Sequence, residues 1–426
     1  MDKTNVKYSA YVQILTEELV PAMGCTEPIA IAYAAAKSRE VLGGLPDHVL
    51  VEASGNLIKN VKSVVVPNTG GLRGIEAAAA AGIVAGKADL LLEVISQVTK
   101  DEQSAIEAYM ERDVIRVEFL DSEQVFDLRV TMKRNTDEVK ARIVNYHTNL
   151  VHLEHNGRVL LDLPVAGDEE NNLADRSLLN MKDILDFANT VDIADVKELL
   201  DRQIEYNMAI SQEGLSGSYG ANIGQVIRAT SRPDDLIAKA KSAAAAGSDA
   251  RMSGCELPVV INSGSGNQGM TTSIPVIVYG QGIGASQEKI YRALVLANLV
   301  TVHQKTGIGR LSAYCGAVSA GAAAGAGIAY LDGGGYEAII HTVVNALAIV
   351  SGIICDGAKA SCAGKIAAAV EAGVLGCRMY QQNQQFYGGD GIITKGVEAT
   401  LDNVGRLAKI GMHSTDKEIL RIMLQQ

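Results

Sequence analysis

Tryptophan is absent from this 426-residue chain, and aromatic residues make up only 4% of it. A core without bulky rings has to be aliphatic and alanine-rich, and 43 glycines allow helices to approach backbone to backbone. Clusters of Lys and Arg are missing as well, against a formal net charge of -11. Such a surface repels a phosphate backbone or an anionic membrane, which excludes nucleic acid and lipid as partners. No CxxC pair occurs, so a four-thiolate zinc site is disfavoured. The N-terminal stretch MDKTNVKYSAYVQILTEEL has no apolar run of the signal-peptide kind, and a cytoplasmic, reducing setting is expected. The six cysteines are then core, metal or catalytic residues, not a disulfide framework. Residues 311–331 carry no charge, but they are mostly Ala, Gly and Ser, too weakly apolar to enter a membrane; a buried helix is expected.

The length suggests more than one domain. Residues 1–47 read as N-terminal helices, interrupted at Pro21 and Gly24, that pack onto a catalytic domain. Residues 48–166 carry short β-branched runs (HVLVEAS, VKSVVVP, VIRVEFL, FDLRVTM, ARIVNYH, NLVHLEH, RVLLDLP) and two helical stretches, the pattern of an α+β lobe. Asn156-Gly157 marks a tight hairpin within it. After an acidic linker at 167–175, helical periodicity dominates to the end, so residues 167–426 are expected as a mainly helical catalytic domain. The expected fold class is α+β, a helix-rich Ala/Gly-packed catalytic domain with a smaller α+β lobe in the N-terminal half.

Cys315, Cys355 and Cys362 lie in the last third of the chain. In a straight helix Cys355 and Cys362 stand roughly 10.5 Å apart along the axis, too far to share one ion, so a common site requires a break at Asp356-Gly357. On spacing alone, inert core thiols are the stronger reading. Among metal readings, a cluster on three thiolates with one iron left open fits better than zinc. The loop Asn262–Gly269 contains G-x-G-x-x-G, but Pro275 is expected to stop a following helix, which argues against a dinucleotide site. An anion-holding nest or a plain turn remains. Arg251 is a candidate carboxylate clamp or a surface ion-pair partner. Lys359 lacks the phosphate signature of a pyridoxal site.

Six motifs together resemble the L-cysteine desulfidases, relatives of the iron–sulfur L-serine dehydratases in the serine dehydratase alpha-chain group. They are PAMGCTEPIAIA (21–32), SQEGLSGSYG (211–220), SDARMSG (248–254), NSGSGNQGMTTSIPV (262–276), RLSAYCGAVSAGAAAG (310–325) and SGIICDGAKASCAGK (351–365). The resemblance implies a [4Fe-4S] cluster on Cys315, Cys355 and Cys362, and makes Cys25 either a catalytic base or a transient fourth ligand. It implies α,β-elimination on a small amino acid, L-cysteine in preference to L-serine, with a non-catalytic cluster protein as a further alternative. Thr26, Glu27, Arg251 and the run Ser263, Gly264, Ser265, Gly266, Asn267 and Gln268 would then hold the substrate. Cys25 is expected as a thiolate, its pKa lowered by the helix N-terminus beside it. Cys255 and Cys377 have no assigned role, and a homo-oligomer is left open.

Overall fold

In a computed structural model, which describes residues 1–165, 173–309 and 312–424, the chain builds two hydrophobic cores. Helices α1 (Val6–Glu18) and α2 (Thr26–Leu42) flank a three-residue strand, β1 (Pro21–Met23). The lobe continues with β2 (His48–Ala53), α3 (Gly55–Val61), α4 (Gly74–Ala85), α5 (Lys100–Met110), β3 (Ile115–Phe119), β4 (Asp127–Arg134), β5 (Asp137–Val144), β6 (Leu150–His155) and β7 (Arg158–Asp162). Its sheet has the order β3-β2-β4-β5-β6-β7, parallel only between β2 and β3. Period-two alternation sorts the faces: Leu128, Val130 and Met132 of β4 are buried in the lobe core, whereas Arg129 and Thr131 are half-buried on the other face. Asn156 and Gly157 both take positive φ, 52° and 78°, as the expected hairpin between β6 and β7 requires.

Two expectations for this half change. The Val61–Pro67 run forms no strand of the sheet; it begins at the last residue of α3 and packs tightly against the rest of the chain. A Cβ on Gly24 would meet Pro67 at 2.4 Å, and one on Gly254 would meet Val65 at 2.4 Å. The segment 1–47 is also divided. Tyr8 and Tyr11 of α1 stack edge-on against Phe187 in the helical core, while α2 is buried nearly all round in the lobe core. Close approach explains the second assignment, since a Cβ on Gly82 of α4 would lie 2.1 Å from the Ala32 carbonyl of α2.

The helical half comprises α6 (Met181–Thr190), α7 (Lys197–Ser216), α8 (Ile223–Thr230), α9 (Leu236–Met252), the short strand β8 (Pro258–Val260), α10 (Gly266–Gly282), α11 (Gln287–Ile308), α12 (Gly316–Leu331), α13 (Tyr336–Val350), α14 (Cys362–Gln381), α15 (Val397–Arg406) and α16 (His413–Leu424). Of the expected acidic linker, residues 167–172 lie outside the described residues. Helices α12 and α14 meet backbone to backbone, as the small-residue content predicts: a Cβ on Gly373 would stand 2.1 Å from the Gly321 carbonyl. No described helix is long and apolar enough to cross a membrane.

Pro275 does not stop the helix after the glycine-rich loop. Helix α10 starts at Gly266 and runs through the proline to Gly282. An interior proline costs about 3 kcal/mol in lost bonding and ring clash; here it is buried, within a helix whose residues 268–277 are all buried. The dinucleotide reading fails for a different reason. β8 pairs antiparallel with β1, in a two-stranded sheet, so the loop belongs to no parallel βαβ unit.

Candidate active site

The β1–β8 pairing brings distant segments together. Pro21 faces Val260 and Met23 faces Pro258, so the chain leaves β1 into Cys25 just where β8 leads into the Asn262–Ser265 turn. That turn closes on reciprocal backbone bonds, Asn262 N–H to Ser265 O (3.2 Å) and back (3.1 Å), with positive φ at Ser263 (49°) and Gly264 (78°). Thr26 Oγ1 lies 3.0 Å from the Gly264 carbonyl and 3.1 Å from the Glu27 carboxylate. Turn and helix start are thereby latched.

Cys25 is the N-cap residue of α2 and is buried. Its thiol donates to Glu27 Oε2 at 3.0 Å. The expected thiolate is therefore corrected: burial, and next the Glu27 charge, push this thiol well above its ordinary pKa, and the Arg251 guanidinium pulls only partly the other way. Desolvation outweighs the helix N-terminus.

Arg251 is 2% exposed near the C-terminal end of α9, and its Nε has no hydrogen-bond partner, which removes the surface ion-pair reading. Its head lies over Gly266, where a Cβ would stand 2.4 Å from Nε. Helix α10 begins there with an N-cap, Ser265, whose side chain makes no capping bond, so the first-turn N–H groups remain available to an anion. Gln268 in that turn is buried with Oε1 unpartnered, and Asn267 Oδ1 is likewise unpartnered. The Gln268 amide covers Gly316, the first residue of α12, where a Cβ would meet the amide atoms within 2.8 Å. Gln268 thus joins the turn to Cys315.

The three C-terminal cysteines converge. Tyr314 and Ile354 form an antiparallel bridge, flanked by Cys315 N–H to Ile353 O (3.1 Å) and Cys355 N–H to Ala313 O (2.6 Å). Between Cys355 and Cys362 the chain is not helical; Gly357 takes φ 91° and α14 starts at Cys362, which is the required break. A Cβ on Gly357 would strike the Lys59 carbonyl at 2.3 Å, so the lobe helix α3 backs this loop. Burial, and next the nearby Cys355 thiol, push Cys315 up to about 12, with Cys362 adding to the effect. Burial raises Cys362 as well. Asp356 pairs with both Lys359 and Lys365, so Lys359 is engaged in an ion pair.

Among the described residues no three His, Cys, Asp or Glu side chains crowd closely enough to hold a metal ion. Ligands of one ion share a centre at about 2.3 Å, whereas a cluster gives each thiolate its own iron and so a wider spread. One buried thiol, Cys315, and two half-buried ones, Cys355 and Cys362, with no fourth ligand beside them among the described residues, would fit a cluster with an open corner better than a single ion. Cys315 is the uncapped N-cap of α12 and Cys362 opens α14, so two positive helix ends face the thiol group.

A sequence profile of the serine dehydratase alpha chain matches residues 89–421. The chain belongs to this family. The matched span includes Arg251, the turn and the three cysteines; Cys25 lies outside it. Relatives extend over the whole length. A UPF0597 protein of Desulfitobacterium hafniense is 59% identical over 426 residues, covering 100% of this chain and 99% of its own. One of Treponema denticola is 48% identical over 430 residues, with 100% and 99% covered, and one of Fusobacterium nucleatum 43% over 422 residues, with 98% and 99%. Family membership speaks for lyase-type chemistry.

Two features had no signal in composition or spacing. Asp249, fully buried on α9, accepts the Gly224 N–H at 2.9 Å through one oxygen and leaves the other unpartnered. Gln203 and Asn298 are buried amides behind the turn, 95 residues apart in the chain. Only side-chain geometry reveals them.

Proposed function

We propose that the chain is an iron–sulfur-dependent lyase that converts L-cysteine to pyruvate, ammonia and hydrogen sulfide. The observation that carries the reading is the Gln268 amide lying over Gly316: the anion-receptive turn and the three-thiol group share one wall. Cys315, Cys355 and Cys362 would hold a [4Fe-4S] cluster whose open iron supplies a Lewis acid for the departing heteroatom.

The chain's own groups do the rest. Arg251 and the first N–H groups of α10 bind the substrate carboxylate, a desolvated pairing that orients Cα. Cys25, with Glu27 accepting its proton at 3.0 Å, removes the Cα proton as thiolate. As the Cα–H electrons form the Cα–Cβ double bond, the Cβ–S bond breaks and the sulfur leaves as sulfide. The aminoacrylate tautomerises to an imine, which water hydrolyses to pyruvate and ammonia. Cys25 is kept apart from cluster duty in this reading, because its electrostatic neighbours are Glu27 and Arg251, while Cys315 senses Cys355 and Cys362. A cytoplasmic setting accords with the free thiols.

A second reading, elimination of water from L-serine, is favoured by the family's own description as serine dehydratase alpha chain. One experiment separates them. After anaerobic purification and reconstitution with iron and sulfide, the protein should show broad visible thiolate–iron absorption and release pyruvate with sulfide from L-cysteine. Faster pyruvate release from L-serine moves the assignment to the dehydratase. A colourless protein with full sulfide release sinks the cluster chemistry. Replacing Cys25 by Ser should keep the absorption and abolish turnover; loss of the absorption would make Cys25 a ligand.

A further inference from the structure

The turn that meets the substrate is wired from behind by buried amides, and the wiring has a direction. Asn298 on α11 donates through Nδ2 to the Leu294 carbonyl at 2.9 Å and to Gln203 Oε1 on α7 at 2.8 Å. A backbone carbonyl only accepts, so the Leu294 bond fixes which end of the Asn298 amide is nitrogen. Its Oδ1 must then receive, and it does, from Gln203 Nε2 and from Asn262 Nδ2, both at 3.0 Å. Asn262 Nδ2 also lies 3.3 Å from the Asn298 backbone carbonyl, a second acceptor-only partner. With its nitrogen committed, Asn262 presents Oδ1 to Ser263, and the Ser263 hydroxyl donates to it at 2.9 Å. Gln203, Asn262 and Asn298 are fully buried, so water cannot reverse the order.

A serine hydroxyl has one proton and two lone pairs. With the proton spent on Asn262, the Ser263 oxygen can face the site only as an acceptor. A carboxylate also only accepts, so this oxygen cannot bind one; it suits a donor. The donor on an amino acid is its α-ammonium group. Resting on the functional reading above, we propose that Ser263 receives the α-ammonium group of the substrate, its acceptor polarity set by the Leu294–Asn298–Asn262 relay. The carboxylate is left to Arg251 and the α10 N-terminus. The turn thereby reads an α-amino acid at both ends, and des-amino acids lose one of the two anchors.

The test compares two unreactive competitors of turnover, L-alanine, which has the ammonium group, and propionate, which lacks it. In the reconstituted wild type L-alanine should inhibit more tightly than propionate. Ser263→Ala should weaken L-alanine about tenfold and raise KM for the amino-acid substrate by a similar factor, leaving propionate within about twofold. Asn262→Leu, which removes the oxygen that takes the Ser263 proton, should give the same pattern. Equal weakening of both competitors in Ser263→Ala, or loss of propionate alone, overturns the ammonium assignment. Unchanged L-alanine inhibition in a folded Asn262→Leu protein overturns the acceptor polarity of Ser263. A wild type that turns over no amino acid overturns the functional reading, and the inference with it, before any variant is compared.

Discussion

Each half of the molecule hides a charged side chain from solvent, and the two are treated in opposite ways. Asp127 in the lobe is 0% exposed and fully engaged: Arg142 grips it with Nε at 2.9 Å and Nη2 at 2.7 Å, Ser122 donates at 2.7 Å, and Ser54 bonds its backbone. Arg251 in the helical half is 2% exposed and has an unpartnered Nε, with unpartnered buried atoms on Gln268 and Asp249 in the same half. A buried charge that is completely bonded holds a fold together. One left incompletely bonded stores binding capacity at a cost in stability.

The sharpest way to break this comparison is to remove each charge. Asp127→Ala strands Arg142 beside the sheet and should destabilise the protein by about 3–5 kcal/mol, read by chemical denaturation, with kinetic constants of the surviving folded enzyme unchanged. Arg251→Met should behave in reverse. Turnover at low substrate should fall roughly 100-fold, the equivalent of about 3 kcal/mol for a charge-assisted bond, while Tm stays level or rises. If Arg251→Met unfolds the protein and Asp127→Ala silences it, the contrast is wrong.

Asp249 tests the comparison from within the helical half. Burial raises its pKa from 3.8 to about 6, against the lowering effect of the Gly224 and Ile223 N–H groups. A raised folded-state pKa means that the native state holds the proton after the unfolded chain has lost it. Its contribution to stability is therefore full below about pH 4 and disappears as pH rises through about 6. Asp249→Asn should remove that slope, so the stability difference between variant and wild type should grow in the variant's favour from pH 4 to pH 6.5. A constant difference across that window would show that Asp249 is ionised throughout.

Much of the lobe was legible in the sequence because alternation and Asn-Gly turns are local signals; β4 and the β6–β7 hairpin follow from them directly. The Val61–Pro67 run misled because β-branched residues favour any buried extended path, here one pressed against Gly24 and Gly254. Pro275 misled because packing overrode a local rule. At the site, the break between Cys355 and Cys362 could be read from Asp356-Gly357, a dipeptide that lets a helix end. The protonation of Cys25 could not, because a helix N-terminus is visible in sequence and the desolvation opposing it is not. The Gln203–Asn298 relay joins residues 95 apart and left no pattern at all.

The smallest expected effects concern what holds the thiol-bearing helix in place. On α14, Gly373 has no room: a Cβ would sit 2.1 Å from the Gly321 carbonyl, backbone that cannot swing aside. Gly364, on the same helix and two residues beyond Cys362, has nothing within 4 Å of a Cβ. Gly373→Ala should therefore force α12 and α14 apart at a cost of about 1–3 kcal/mol, the usual range for overpacking. Gly364→Ala should instead stabilise by about 0.5–1 kcal/mol, because alanine restricts the unfolded chain without meeting anything in the folded one. The opposite signs isolate close approach from helix propensity, which predicts the same gain at both positions. Matching gains would mean that the two helices can part freely, and Cys315 at the start of α12 and Cys362 at the start of α14 would then not be held at a fixed separation by this packing.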